Sequence, residues 1–356
     1  MGDRSHLPTS SVTTASRSSR FRGILAATLA AGLLLAPGLV LAQTSEDAVE
    51  PGASPGVPAD PVYPITFIDD EGTQIVIEAR PERIVSLSPA ITETVFALGA
   101  GDRLVGGTDY DDFPLEAANL PDVATFSGVI LEQLVAQAPD LVLAAGNGFT
   151  PADDIVRIRE LGYTVAVLYA ETHEEVLSGI RRLGTAIGAV PAAYALSERI
   201  EADLARVAGA IATTQGRPRT FYQIGSDPEI YGPAPGSFLA DLVELAGGTA
   251  VTTADPASYA IPLERLVAED PEVIIVADAL WGVCPADVAA RPGWGSMTAV
   301  RTGAIRAVAD TEITRPGPRI AQGFAELARA IHPELVIGGF PPEPVLCADR
   351  AAAPAP

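Results

Sequence analysis

The chain of 356 residues contains no lysine; its 23 basic side chains are all arginine, set against 45 acids. The formal net charge of −22 excludes a basic face able to neutralise nucleic-acid phosphates, so no nucleic-acid partner is expected. Histidine is nearly as scarce: of three, only His173 and His332 lie beyond the first stretch of the chain. Neither stands at a metal-ligand spacing from Cys, Asp or Glu, so no metal centre and no intrinsic cofactor are expected. His332 suits the end of a helix, where the macrodipole favours it. The chain has no Gly-x-Ser-x-Gly elbow, no phosphate loop and no Gly-x-Gly-x-x-Gly after a strand. This inventory assigns no catalytic residue and no reaction. The expectation is a non-enzyme, the alternative an extracellular enzyme carrying a base or metal with an orienting partner.

Cysteine is limited to Cys284 and Cys347. In an exported chain such a pair reads as a disulfide tying the C-terminal tail to a loop; two unrelated free thiols are the alternative. Export is suggested by the first 42 residues. Arg17, Arg20 and Arg22 precede an apolar run from Ile24 to Leu41 that closes on Val40-Leu41-Ala42, the order of a signal peptide. The rival is an uncleaved membrane anchor, since the run approaches spanning length. No cysteine follows the run, which argues against a lipid anchor at this site. The expected location is periplasmic or otherwise extracytoplasmic. Loss of residues 1–42, with four Arg and one Asp, takes the net charge from −22 to −25. Residues 43–64, rich in Pro, Ala, Ser and acid, read as a disordered linker.

A phrase of twelve residues occurs twice. Leu131 to Val142 and Leu263 to Ile274 agree at six positions, 132 residues apart. Each copy reads as a short helix, a proline stop and a buried strand. That offset is a domain length, so the chain is expected to hold two similar α/β lobes. Strands and helices alternate in the first, over 65–188, which argues for a parallel sheet covered on both faces. Ile65–Asp69 and Thr73–Glu78 flank Asp70-Glu71-Gly72 as a hairpin. A helix opened by Pro191 carries an apolar stripe of Ala195, Leu196, Ile200, Leu204, Val207 and Ile211; over 189–215 it reads as a rigid strut between lobes. The second lobe spans 216–334, and 335–356 read as a Pro-rich tail.

Several of the few aromatics fall in loops: Tyr110, Phe113, Phe126, Phe149, Tyr231, Tyr259 and Trp281. Ligands of parallel sheets bind at the carboxyl ends of strands, so the set reads as a ligand platform, although core packing accounts equally for any one member. Arg315 and Arg319 flank Pro316-Gly317-Pro318 and read either as a fork for an anionic ligand group or as arginines paired with nearby acids. Arg315 is the better ligand candidate. Glu132 and Glu264 hold the same place in the two copies. The helix dipole favours an acid there by ~0.3–1 kcal/mol, yet two acids on related lobes also match two equivalent basic pockets on a two-fold partner.

Arg83 to Pro89 with Thr92-Glu93, Gly99 to Gly106, Tyr110-x-x-x-Pro114, the two phrases, Gly247-Gly248 and Pro318-Arg319-Ile320 together resemble the iron-siderophore and vitamin B12 binding proteins of bacterial ABC importers. The resemblance covers about 83–334. It implies the class III periplasmic-binding-protein fold: two Rossmann-like α/β lobes joined by one long rigid α-helix, with the ligand between them. It also implies a non-enzymatic receptor, acting as a monomer, in which Glu132 and Glu264 dock onto arginines of an ABC permease dimer that works with its ATPase. The stretch from Tyr110 to Glu132 is most similar to the cobalamin binders, which places Tyr110, Phe126 and Arg315 toward a corrinoid and Tyr259 near another ligand-facing aromatic. Phe126 replaces a larger aromatic, and Ala246 a cysteine. A haem or ferric-siderophore receptor of the same family is the alternative, with Tyr110, Tyr231 or Tyr259 as the candidate axial ligands of a haem, and a sensor-type binding protein is a further one.

Overall fold

The structure is a computed structural model describing residues 57–146, 148–170, 172–341 and Cys347. The signal segment 1–42 and the first part of the linker lie outside the described residues. The first elements of the described residues are an antiparallel hairpin of β1 (Ile65–Ile68) and β2 (Gln74–Ile77). The first lobe follows as β3 (Ile84–Ser86), α1 (Pro89–Ala97), β4 (Leu104–Thr108), β5 (Asp122–Thr125), β6 (Gly128–Val129), α2 (Leu131–Ala136), β7 (Leu141–Ala144), α3 (Ala152–Glu160) and β8 (Val165–Val167). Its six strands run in the order β6-β5-β4-β3-β7-β8, parallel except for the edge strand β6. Two helices come next, α4 (His173–Ile187) and α5 (Val190–Ile211). The second lobe contains β9 (Arg219–Gln223), α6 (Phe238–Leu245), β10 (Thr249–Ala250), α7 (Leu263–Glu269), β11 (Val273–Val276), α8 (Pro285–Ala289), α9 (Thr298–Thr302), β12 (Ile305–Ala307), α10 (Thr311–Thr314) and α11 (Ile320–Ile331). Its four strands, ordered β10-β9-β11-β12, are all parallel.

Side-chain alternation explains why both sheets are buried on two faces. In β7, Leu141 and Leu143 enter one core while Val142 and Ala144 enter another on the opposite face. In β11, Val273 and Ile275 separate from Ile274 and Val276 in the same way. These strands end the two copies of the repeated phrase, which therefore occupy equivalent places. Leu134 and Leu266 anchor the preceding helices in full burial, while Glu132 and Glu264 face solvent. The 22-residue α5 gives Ala193, Leu196 and Ile200 to the first lobe's core and Val207 to the second's.

Two boundaries differ from the sequence expectation. Residues 57–64 are not free linker: Asp60 accepts a hydrogen bond from the Val190 amide at 2.7 Å, and the Tyr63 hydroxyl donates to the Ala186 carbonyl at 3.2 Å. Likewise the tail does not begin at 335, because Leu335, Ile337 and Phe340 are buried in the second lobe's core. The prolines and acids that suggested a tail mask these apolar anchors. Cys284 and Cys347 are joined in a disulfide with Cα atoms 5.7 Å apart, which sets Cys347 beside the start of α8.

The contact between α10 and α11 is unusually intimate. A Cβ on Gly323 would lie 2.3 Å from the Glu312 carbonyl oxygen and 2.7 Å from the Ile313 nitrogen, both backbone atoms. Gly209, on the exposed side of α5, has open space at its Cβ position. Alanine normally stabilises a helix interior by about 0.5–1 kcal/mol over glycine. Gly209→Ala is expected to show that gain in urea unfolding. Gly323→Ala is expected to lose about 1–3 kcal/mol, because the clash outweighs helix propensity.

Candidate ligand cleft

Loops leaving the carboxyl ends of strands from both lobes meet at one cleft of about 370 Å³. The first lobe supplies Ser88 to Ala90 after β3, Tyr110 after β4, Ala145, Gly146 and Phe149 after β7, and Tyr169 and Ala170 after β8. The second supplies Thr314, Arg315 and Pro316 after β12. Parallel strands point their carboxyl ends the same way, which is why residues distant in sequence converge here. The lobes touch along one side: a Cβ on Gly317 would come within 3.3 Å of the Ala90 carbonyl oxygen, so only glycine lets the two backbones approach this closely without displacement.

An ion cluster joins the lobes beside that contact. Glu93 on α1 is buried and holds both arginines of the second lobe. The Arg315 Nη1 donates to Glu93 Oε1 at 3.0 Å. The Arg319 Nε donates to Oε2 at 2.8 Å and its Nη2 to Oε1 at 2.7 Å. Arg315 also forms an ion pair with Asp112, with a second contact to Oδ2 at 3.3 Å, and reaches the Tyr110 carbonyl at 3.4 Å. Arg319 pairs further with Glu312 and stacks over the Phe113 ring at 4.1 Å. Burial alone would depress both guanidiniums, but their bonds to Glu93, with Asp112 on Arg315, outweigh it and hold them above the ordinary arginine value. Both therefore stay charged.

The loop carrying Tyr110 and Asp112 is fixed by Asp111. Its carboxylate accepts from the Thr108 amide at 3.0 Å, the Thr108 hydroxyl at 2.9 Å and the Thr92 hydroxyl at 2.9 Å, tying the end of β4 to α1. Tyr110 packs edge-on against Phe149 with ring centroids 6.1 Å apart. Within the second lobe, Asp278 accepts from the Gln223 amide nitrogen at 2.8 Å, and Arg291 bridges Gln223 and Ser226 at 2.6 Å each.

The candidates thus divide. Tyr110, Phe113 and Arg315 come together, with Phe149 and Arg319 beside them. Tyr231 and Tyr259 form a second group, joined where the Gly232 amide bonds the Tyr259 carbonyl and Tyr231 bridges Ala260. Phe126, in the turn between β5 and β6, is 97% exposed, and Trp281, beyond β11, is 84% exposed. Each follows the carboxyl end of a strand, and neither is packed into a core. Glu132 and Glu264 are exposed in the first turns of α2 and α7. His173 lines a separate groove with Leu204 and Leu242, and the His332 ring is buried against the Gly247 carbonyl at 3.1 Å. Among the described residues no cluster of three or more His, Cys, Asp and Glu is arranged to hold a metal ion. Sequence reasoning missed Glu93, Asp112 and Glu312 as partners of the arginines. The signal was the excess of acids over arginines, without any indication of which acid meets which arginine.

The sequence pattern of the periplasmic binding protein family matches residues 84–310. The chain belongs to that family. An uncharacterized ABC transporter substrate-binding lipoprotein of Bacillus subtilis is 30% identical, the match covering 77% of this chain and 87% of that one. A cobalamin-binding protein of Halobacterium salinarum is also 30% identical, over 76% of this chain and 74% of its own. Among solved structures, a periplasmic haem-binding protein of a Roseiflexus species superposes with a TM-score of 0.64 and 25% identity, covering 71% of this chain and 98% of that one. The fold is the mixed α/β arrangement of the class III periplasmic binding proteins, a family of transport receptors that work outside the cytoplasm.

Burial pushes the Asp310 carboxyl, at the N-terminus of α10, from 3.8 up to about 6. The folded protein then holds a proton that the unfolded chain releases at lower pH, so this group's contribution to stability falls as pH rises from about 4 to about 6. Relative to the wild-type protein, Asp310→Asn is expected to gain about 1–2 kcal/mol between pH 4 and pH 7 in urea unfolding. This is less than the full shift implies, because Asp310 is partly exposed.

Proposed function

We propose that the protein captures a corrinoid between its lobes and delivers it to a dimeric ABC permease coupled to an ATPase. The observation that carries this reading is the character of the cleft: Tyr110, Phe149 and Tyr169 line it, Phe126 and Trp281 stand exposed after strand ends on either lobe, and among the described residues no histidine lines it. A corrin is large and largely apolar at its rim, and cobalamin brings its own lower axial ligand, so its receptor needs aromatic walls rather than a metal-ligating side chain. The named relative of Halobacterium salinarum supports the same reading. Haem, by contrast, leaves an axial position that its receptor commonly fills. The Tyr110 phenol at the cleft is what favours that second reading, along with the Roseiflexus neighbour.

The paired acids fit the delivery step. Glu132 and Glu264 lie in equivalent copies of one motif, exposed and remote in role from the cleft, as a two-fold membrane partner with basic pockets requires. Export by cleavage after Ala42, without a lipid anchor, and action as a monomer complete the proposal.

Titration of the chain from Gln43 onward with cyanocobalamin is expected to quench tryptophan fluorescence saturably, with a Kd at or below about 1 μM. No saturable binding of cyanocobalamin would remove the corrinoid reading, and saturable haem binding in its place would establish the second. Glu132→Arg combined with Glu264→Arg is expected to leave that Kd unchanged while abolishing uptake in cells; normal uptake by the double variant would remove the docking role.

A further inference from the structure

Both arginines at the cleft are already matched by carboxylates, and this bears on what the cleft admits. Glu93, Asp112 and Glu312 surround Arg315 and Arg319, three negative charges against two positive, so the cluster carries a net −1. Arg315 is the one member of this cluster that lines the cavity, and its guanidinium meets a carboxylate on each side before any ligand arrives. Elsewhere in the second lobe Arg291, just beyond α8, is held by Gln223, the last residue of β9, and by Ser226, and lies over the Trp294 ring at 4.9 Å. Asp278, bonded to Gln223, and Asp310 add further acid at the ends of β11 and β12. A chelate bringing negative charge would have to displace a carboxylate from Arg315 or approach a negative cluster.

We propose that Asp112 and Glu312, with Glu93 between their arginines, are specificity-determining residues that reject anionic chelates and leave the cleft open to neutral or cationic ones. This rests on the reading of the cleft as a metal-chelate site and sharpens it. Cyanocobalamin is neutral overall, whereas haem carries two propionates and a ferric tricatecholate is trianionic. The selectivity is repulsive: it comes less from new contacts to the accepted ligand than from cancelling the cations that the rejected ones require. The buried Glu93 organises the cluster, but it is a poor residue to test, because removing one partner of a buried ion pair strands the others and endangers the fold. Asp112 and Glu312 are reached by solvent, with side chains 59% and 24% exposed. Their amides, in Asp112→Asn and Glu312→Gln, keep the shape and shed the charge.

The experiment measures the affinity of the wild-type protein and of both variants for cyanocobalamin, haem and a ferric tricatecholate, at low and at high salt. The expected result is that the wild-type protein prefers the neutral ligand. In each variant the ratio of anionic to neutral affinity should rise on the order of ten-fold, equivalent to one decade of binding constant. High salt should shrink the gain, since an exposed charge is screened. A ratio unchanged in both variants overturns the proposal, as does a wild-type protein that binds the tricatecholate more tightly than any neutral chelate. A neutral ferric hydroxamate serves as the control for the corrinoid reading. If it binds in place of cyanocobalamin and the ratio still rises in the variants, the corrinoid assignment fails while the charge filter stands.

Discussion

Glu93 is the point on which the cleft is organised. It sits on the helix that follows the first strand of the first lobe, yet its carboxylate is closed on both oxygens by arginines of the other lobe. A buried carboxylate cannot remain charged without such partners, and two arginines cannot be drawn into a partly dry contact without it. The arrangement therefore imposes a fixed relation between α1 and the turn before α11, even though more than two hundred residues separate them in the chain. The close approach of Gly317 to Ala90 and the stacking of Arg319 on Phe113 follow from the same fixed relation. So does the position of the Tyr110 loop, which Asp111 ties to α1 from the other side.

A seam of this kind divides the labour around the ligand site. Along one edge the lobes are held by charge and by backbone contact. Elsewhere the walls present aromatic and small residues, among them Tyr110, Phe149, Tyr169, Ala145 and Gly146. The arginine that reaches the cavity, Arg315, is already bonded to Glu93 and Asp112.

Much of the architecture was legible in the sequence because burial on two faces leaves a strong imprint. The runs Leu141–Ala144 and Val273–Val276 are uninterrupted and apolar, and the repeated phrase alone sets them in equivalent places. The site was less legible. Loop aromatics could be collected as a set, but whether Tyr231 meets Tyr259, or Tyr110 meets Phe149, depends on turns that carry no periodic signal. The ion cluster was harder still: Arg315 and Arg319 stood out, while their partners were three among 45 acids with nothing to distinguish them. Segments rich in proline misled for a related reason. Composition suggested free chain on either side of the lobes, whereas Asp60, Tyr63, Leu335 and Phe340 each contribute one well-placed contact that an average over neighbours conceals.

The helix α5 has a consequence of a different kind. Ala193 is rooted in one core and Val207 in the other, and at 1.5 Å per residue the interval between them is about 21 Å. A rod anchored at both ends acts as a gauge. The separation of the lobes is written into the chain as a number of residues, and it can change only in steps of the helical rise. Width along that axis is thus inherited from sequence length, leaving the side chains of the walls to settle everything else about what fits.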